Sequence, residues 1–319
     1  MAMNLFATDK KPVKGLLPME WVILAYTVLT LVLMLLMYTR LHNPASMLQL
    51  RFQAVAIMLA TWGVYRLVPC RLVMLLRVCC QMGLLGVWYP DTYEFNRLLP
   101  NLDHVFAQAE QSLFGFQPAL TFSQSWSHPV VSELLELGYV SYFPMIAAVT
   151  VFCYFCRYEQ LQRTIFIIMG SFFLFYVVFI FLPVAGPQYY YPAVGFDQIA
   201  QGVFPNLGNY FETHQELLPT PGWEDGLFHR LVVDAHAAGE RPTAAFPSSH
   251  VGITVVLLWL AWRLNGRWLF WVLVPLAVLM FFATFYIQAH YVIDALAGLV
   301  TGTLFYWLFH LLFPLVSRK

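Results

Sequence analysis

The chain has 319 residues, of which 60% are hydrophobic, 17% aromatic and only 11% charged. Soluble domains carry about 25% charged residues, so this composition excludes an ordinary soluble domain and indicates an integral membrane protein. The 17 basic and 17 acidic residues balance each other. No basic surface is therefore indicated, and no nucleic-acid partner is expected.

Long apolar stretches predict the membrane-spanning helices, because a helix needs about 20 mostly apolar residues to cross a bilayer. The second and third stretches are the weakest, since Arg66, Arg71 and Arg77 interrupt them. The predicted fold class is all-α, a polytopic transmembrane bundle of about 6–8 spanning helices. The candidate spans are residues 20–39, 52–69, 71–89, 131–154, 163–184, 249–264, 268–287 and 291–314.

The positions of Lys and Arg predict the orientation, because these residues collect on the cytoplasmic side of a membrane protein. With eight spans, most of the Lys and Arg residues fall on one side of the membrane, whereas Arg40 and Arg51 fall on the other side. Both termini are therefore expected in the cytoplasm, and the connections 90–130 and 185–248 on the outer, periplasmic or lumenal, face. The residues of the majority side are Lys10, Lys11, Lys14, Arg66, Arg71, Arg157, Arg163, Arg263, Arg267, Arg318 and Lys319.

The chain divides into two predicted parts. Residues 1–130 contain the N-terminal membrane helices and an outer amphipathic segment, and residues 131–319 form a catalytic portion with an outer lid at 185–248. The segment 94–115 has helical spacing of its apolar residues. It either lies along the membrane interface or packs as a helix outside the membrane.

His290 and Asp294 form the first candidate catalytic pair. Asp294 is the one acidic residue after Glu240, and ionisable groups inside a membrane are usually functional. On a helix, a spacing of four residues puts both side chains on one face. A carboxylate there accepts a hydrogen bond from one imidazole nitrogen and makes the other a candidate nucleophile. A purely structural His–Asp pair is the alternative.

The second candidate element is the segment Phe-Pro-Ser-Ser-His250, which opens the predicted helix 249–264. Pro247 suits a helix start, and Ser248 or Ser249 suits an N-cap. The free N–H groups and the positive dipole end of a helix N-terminus favour phosphate. His250 in the first turn is suited to donate a proton to a leaving oxygen.

The predicted topology joins the two elements. Helix 249–264 runs inward from the outer side, and helix 268–287 returns outward after a short turn. His250 and His290 are therefore expected at the same membrane face. Two histidines and one carboxylate beside a helix N-terminus suit covalent phosphoryl transfer.

These motifs resemble those of the type 2 phosphatidic acid phosphatase superfamily, which has a similar Pro-Ser-x-His followed about 40 residues later by His-x-x-x-Asp. The resemblance covers roughly residues 131–315. It implies that His290 forms a phosphohistidine, that Asp294 orients and activates it, and that His250 is the general acid. It implies no metal and no other cofactor.

The sequence departs from the phosphatases of that superfamily where they carry two phosphate-binding cations. Their first motif, a Lys followed after six residues by Arg-Pro, corresponds here to residues 182–191, which contain no basic residue. Their Ser-Arg pair ahead of the nucleophile corresponds to Ala283-Thr284. A phosphodiester carries less charge than a phosphomonoester and needs fewer cations, so the departures favour a diester substrate.

The inositol phosphorylceramide synthases and their bacterial relatives lack these cations, and the segment Thr284-Phe-Tyr286 ahead of His290 is similar to theirs. This closer resemblance implies a role in sphingolipid metabolism. The expected reaction moves a phospho-headgroup from a membrane phospholipid to a lipid alcohol or ceramide.

Further residues are candidates for binding the substrate. Arg241, nine residues ahead of His250, is suited to supply the missing positive charge, or it is a solvated lid residue. The tyrosines after Gln188 are suited to bind phosphate or headgroup, or they anchor the chain at the interface. The candidate substrate-binding residues are Arg241, Ser248, Ser249, Gln188, Tyr189 and Tyr190.

Three functions stay open at this level. The first is the transferase, and the second is a lipid phosphate phosphatase that hydrolyses a phosphomonoester or pyrophosphate lipid. The third is a non-enzymatic transporter that uses the His–Asp pair as a proton relay. A transporter would be expected to carry charged or broken mid-membrane segments in repeated halves, which the sequence lacks. The sequence leaves the oligomeric state open.

Overall fold

The computed structural model describes residues 5–9 and 12–317. Lys10, Lys11, Arg318 and Lys319, which carry part of the orientation prediction, lie outside the described residues. The described part is helical apart from turns and one isolated antiparallel bridge between Thr8 and Cys70. The predicted all-α class is therefore confirmed.

Ten of the described helices form the eight segments of the membrane bundle, with α3–α4 and α7–α8 counted as one segment each. They are α1 (Pro18–Leu36), α2 (Pro44–Leu67), α3 (Arg71–Gly83) with α4 (Leu85–Asn96), α7 (Pro129–Val140) with α8 (Tyr142–Cys156), α9 (Leu161–Phe181), α13 (Ser249–Arg263), α14 (Arg267–Tyr286) and α15 (Val292–Val316). The remaining helices lie outside it: α5 (Asp103–Phe114), α6 (Pro118–Ser125), α10 (Pro187–Val194), α11 (Phe196–Ala200) and α12 (Leu227–Gly239).

Six of the described spans are long and apolar enough to cross a bilayer, and the α7–α8 pair makes a seventh if it counts as one span. Helix α13 has 15 residues, which is short for a full crossing. The chain is therefore an integral, multi-pass membrane protein, and the predicted range of spans holds.

Three predicted spans differ in their boundaries or shape. Helix α2 begins at Pro44 rather than residue 52, because a proline suits the first turn of a helix. The third span extends to Asn96. The predicted span 131–154 is bent by 48° at Ser141. Pro144 has no N–H to donate to the carbonyl of Val140, so the backbone ladder is interrupted there.

Two buried ion pairs hold the N-terminal helices together. The Arg77 guanidinium of α3 donates to Glu20 of α1, with Nε 2.7 Å from Oε1, and both side chains are fully buried. Arg51 of α2 lies 2.8 Å from Asp91 of α4. Both arginines are therefore buried partners between helices, which explains why Arg77 can interrupt an apolar span and why Arg51 departs from the orientation that the other basic residues indicate. Loss of one partner would leave an uncompensated buried charge.

Helices α13 and α15 pack backbone to backbone through glycine. A Cβ on Gly302 would lie 2.8 Å from the Cα of Gly252, and a Cβ on Gly298 would lie 2.6 Å from the carbonyl oxygen of Ser248. Small residues allow such close approach of helices in a membrane. The contact fixes the first turn of α13 against the first turns of α15.

The connections 90–130 and 185–248 are packed against the bundle. In the segment 94–115, helix α5 buries Asp103 and Glu110 but leaves Val105, Leu113 and Phe114 exposed, so it fits both the interfacial and the packed-helix alternative. Asp103 accepts hydrogen bonds from the Ala185 and Gly186 amides and from the Tyr291 hydroxyl, at 2.6, 2.8 and 3.1 Å. Helix α5 thus ties the turn before α10 to the start of α15.

The lid is fixed to the bundle through its helix α12. Glu133 of α7 accepts hydrogen bonds from the first three amides of α12, at Leu227, Phe228 and His229. A carboxylate at a helix N-terminus satisfies free N–H groups and the helix dipole. The lid is therefore anchored to the first turns of α7.

Candidate active site

A small cavity, partly open to solvent, lies where the lid meets α4, the C-terminal end of α7, the first turn of α13 and the loop between α14 and α15. His250 and His290 both line it, and their ring centroids are 5.7 Å apart. None of the described residues that line it is Lys or Arg. Its polar lining consists of Tyr89, Tyr139, Glu240, Thr243, Ser249, His250 and His290.

His290 is held in one tautomer by a backbone carbonyl. Its Nδ1 lies 2.7 Å from the carbonyl oxygen of Ala245. A carbonyl only accepts, so Nδ1 carries the proton and Nε2 keeps its lone pair. Burial lowers the pKa of His290 to about 4, although the Ala245 carbonyl and the nearby Glu240 oppose that effect. At neutral pH the ring is therefore uncharged and Nε2 is a free nucleophile.

Asp294 lies close to His290 but bonds elsewhere. Its Oδ2 is 3.8 Å from His290 Nδ1, and the same oxygen accepts the Tyr291 amide at 2.8 Å. The prediction that His290 and Asp294 share a helix face is wrong, because α15 begins at Val292 and Tyr291 is its extended N-cap residue. Asp294 caps its own helix, and its backbone oxygen accepts the Ser248 amide at 3.0 Å.

His250 occupies the first turn of α13 between two tyrosine rings. It stacks on Tyr139 at 4.7 Å and lies tilted against Tyr142 at 4.5 Å. Its Nδ1 has no hydrogen-bond partner among the described residues. The same is true of the buried hydroxyl of Thr243, which also lines the cavity. Both atoms are therefore buried polar groups without a protein partner, in residues that line the cavity.

Three of the predicted substrate-binding residues flank the start of α13. Ser248 is the N-cap, and its hydroxyl accepts the Val251 amide at 3.4 Å. Ser249 lines the cavity. The guanidinium of Arg241 is exposed, and its Nη1 donates to the backbone oxygen of Glu240. Of the three, Ser249 is the one that the structure brings to the cavity.

The other three predicted residues, in α10, are not in the cavity lining, although Tyr189 is close enough to Glu240 to interact with it electrostatically. The Tyr190 hydroxyl donates to the Pro205 carbonyl at 2.8 Å, and Tyr189 packs with Phe211 in a separate apolar cluster. Gln188 is buried, and its backbone pairs with Gln288 next to the His290 loop.

The turn before α10 nevertheless supports the site. Gly186 has a φ of +94°, and a Cβ there would lie 2.5 Å from the carbonyl oxygen of Ala289. Only glycine suits this backbone at this distance. The turn that corresponds to the first superfamily motif is thus packed directly against the His290 loop, without a cation.

Sequence reasoning missed three cavity residues, Glu240, Tyr89 and Tyr139. Glu240 is partly buried, and desolvation raises the pKa of its carboxyl to about 7, against the lowering effect of His290. The Tyr89 hydroxyl is 3.5 Å from Glu240 Oε1. Glu240 stands ten residues ahead of His250 and Tyr89 lies in a different part of the chain, so no local motif signals either residue.

A family model described as the PAP2 superfamily matches residues 104–308. No curated protein and no solved structure matches the chain significantly. The match covers more than half of the chain and includes the outer helix α5, both cavity histidines and Asp294. The chain therefore belongs to the PAP2 superfamily and is a membrane enzyme of the phosphatase or phosphotransferase type that acts on lipids.

Proposed function

We propose that the protein is a membrane lipid phosphotransferase that moves a phospho-headgroup from a phospholipid to a lipid alcohol such as ceramide, as inositol phosphorylceramide synthases do. The observation that carries the proposal is the hydrogen bond from His290 Nδ1 to the Ala245 carbonyl. It leaves Nε2 unprotonated at the cavity, as a nucleophile requires.

In the first step, the Nε2 lone pair of His290 attacks the phosphorus of the donor lipid. An N–P bond forms, the P–O bond to diacylglycerol breaks, and the leaving oxygen takes a proton from His250. Anionic phosphate between the two rings favours the protonated form of His250. The charge of Asp294, 3.8 Å from His290 Nδ1, stabilises the positively charged phosphoimidazole.

In the second step, the hydroxyl of the acceptor lipid attacks the same phosphorus. His250 takes the hydroxyl proton, the N–P bond breaks, and its electron pair returns to His290 Nε2. The headgroup and its phosphate end on the acceptor, and both histidines regain their starting forms. Water in place of the acceptor would give hydrolysis instead.

The charge of the cavity supports a diester substrate. A phosphomonoester carries about two negative charges at neutral pH, and enzymes bind such groups with Lys, Arg or metal ions. The described lining contains two histidines and one carboxyl group but no Lys or Arg. A phosphodiester, with one negative charge, matches this lining better.

The orientation of the site follows from the same proposal. Lys14 and Arg66 lie together, since the Arg66 guanidinium donates to the Lys14 carbonyl, and Arg157 donates to the Leu264 carbonyl at the α13–α14 turn. These basic residues share the end of the bundle opposite the cavity. We propose that this end and both termini face the cytoplasm and that the cavity opens on the periplasmic or lumenal side.

The test uses purified protein and a phospholipid labelled in its headgroup phosphate, with and without ceramide or diacylglycerol. We expect label to appear in the acceptor lipid only when the acceptor is present, and His290→Ala to abolish transfer. His42→Ala, at an exposed position between α1 and α2, is the matched control and should keep full activity. Release of water-soluble headgroup phosphate irrespective of acceptor would identify a phosphatase instead.

A further inference from the structure

The cavity contains a carboxyl group that the two-step reaction does not use. Glu240 lines the same cavity as His290 and faces the Tyr89 hydroxyl, whose distance of 3.5 Å makes a weak hydrogen bond. A carboxylate can accept about four hydrogen bonds. The described residues give the Glu240 carboxyl no other side-chain hydrogen bond, although the charges of His290 and Arg241 act on it. The exposed Arg241 donates to the backbone oxygen of Glu240 and not to its carboxyl group.

The surroundings of Glu240 are aromatic and partly polar. Tyr89 comes from α4 and Tyr139 from α7, and both line the cavity beside the carboxyl group. The ring of Tyr139 stacks on His250. Tyr89 lies ahead of the residues that match the superfamily, so the N-terminal helices contribute a residue to this part of the cavity.

An unpaired carboxyl group beside a phosphate site is unfavourable for a substrate that brings excess negative charge. With a pKa of about 7, roughly half of the Glu240 carboxyl is charged at neutral pH. That charged form repels the second charge of a phosphomonoester, and neither form makes a favourable contact with an apolar acyl chain. The carboxyl group is favourable for a headgroup whose hydroxyl or ammonium group donates a hydrogen bond. The headgroup stays attached to the phosphate through both steps, so it must occupy the cavity beside His290 throughout.

On the basis of the proposed transferase function, we propose that Glu240, with Tyr89 and Tyr139, forms the headgroup-binding end of the cavity. It selects phosphodiester lipids whose headgroup donates hydrogen bonds, and it disfavours phosphomonoester lipids. Glu240 is in this proposal a specificity-determining residue that contacts the headgroup, while His250 and His290 carry the chemistry.

The test measures lipid binding in the His290→Ala background, which cannot form the covalent intermediate. Native mass spectrometry of the full chain in detergent compares phosphatidylinositol, phosphatidylethanolamine and phosphatidic acid with identical acyl chains. We expect both diesters to bind more tightly than phosphatidic acid. Glu240→Gln, which keeps the shape but removes the charge, should reduce this preference about tenfold, or about 1.4 kcal/mol.

Glu224→Gln, an exposed lid carboxyl with the same change of charge, is the matched control and should leave the preference unchanged. A larger loss for phosphatidylethanolamine than for phosphatidylinositol would identify an ammonium headgroup, and a larger loss for phosphatidylinositol would identify a polyol. Equal losses for these two lipids, with none for phosphatidic acid, would mean that Glu240 accepts hydrogen bonds from headgroups of both kinds. The inference is wrong if Glu240→Gln weakens all three lipids equally or leaves their ratio within about twofold.

The binding readout separates this inference from the proposed function. If the wild-type protein transfers no headgroup but Glu240→Gln still changes the lipid preference, the selectivity stands and the transferase assignment fails. If headgroup transfer depends on His290 but Glu240→Gln leaves the lipid preference unchanged, the transferase function is supported and the role of Glu240 in headgroup binding is wrong.

Discussion

The close packing of α13 and α15 predicts that Gly302→Ala will damage the active site from a distance. Gly302 lies in α15, one helix turn beyond Gly298 and twelve residues after His290. A Cβ there would lie 2.8 Å from the Cα of Gly252, which is backbone and cannot rotate aside. The helices must therefore move apart.

The size of the effect follows from this distance. Carbon atoms pack best at about 3.5–4.0 Å, so the 2.8 Å contact requires a separation of roughly 0.7–1.2 Å. Overpacking of this kind costs about 1–3 kcal/mol, and each kcal/mol lowers Tm by roughly 2–4 °C. Because α13 carries His250 and α15 follows His290, a shift of about 1 Å can reduce activity about 100-fold.

The assay is headgroup transfer and thermal unfolding of the same purified variants. Gly63→Ala is the matched control, since Gly63 lies inside α2 and a Cβ there meets nothing within 4 Å. It should be neutral or slightly stabilising, because Ala favours a helix by up to about 1 kcal/mol over Gly. If Gly302→Ala is as stable and active as Gly63→Ala, the reasoning about the α13–α15 contact is refuted.

Three further predictions concern the supports of the site. Asp103→Asn should lower the free energy of unfolding by about 1.5–3 kcal/mol. The Ala185 amide and the Tyr291 hydroxyl donate to different oxygens of Asp103, and an asparagine side chain has only one oxygen to accept them. The measurement is thermal unfolding, and an unchanged Tm would contradict this prediction. Glu133→Gln should loosen the start of α12 and speed proteolysis of the lid, and equal cleavage rates would argue against this anchor. His290 should react with diethylpyrocarbonate at a rate that falls only as the pH approaches about 4, because burial lowers the pKa of His290 and protonation removes the Nε2 lone pair. A reaction rate that falls by half near pH 6.5, the ordinary pKa of histidine, would contradict a buried neutral ring.

The spans could be predicted from sequence because membrane burial acts on composition alone. Stretches such as 163–184 and 268–287 coincide closely with α9 and α14. The differences between the predicted and the observed spans have local causes that a hydropathy pattern does not contain. Pro144 bends a span that looks continuous, and Arg51 lies inside a helix because Asp91 on another helix neutralises it.

The arrangement of the two cavity histidines could be predicted in part. The proximity of His250 and His290 follows from two short connections, since α13, α14 and α15 are consecutive in the chain. The group that holds the His290 proton could not be predicted, because it is the backbone carbonyl of Ala245 and any residue there would supply one. Glu240 and Tyr89 reach the cavity through tertiary packing, which leaves no periodic signal in the sequence.

The central claim is that His290 Nε2 forms a covalent bond to the phosphorus of the substrate. The most direct test mixes protein with donor phospholipid in the absence of acceptor, quenches at alkaline pH within one turnover, and maps the added mass by peptide mass spectrometry. The account predicts a headgroup phosphate on the peptide containing His290, absent from His290→Ala and lost when ceramide is added. Mass on another residue, or undiminished turnover by His290→Ala, would contradict it.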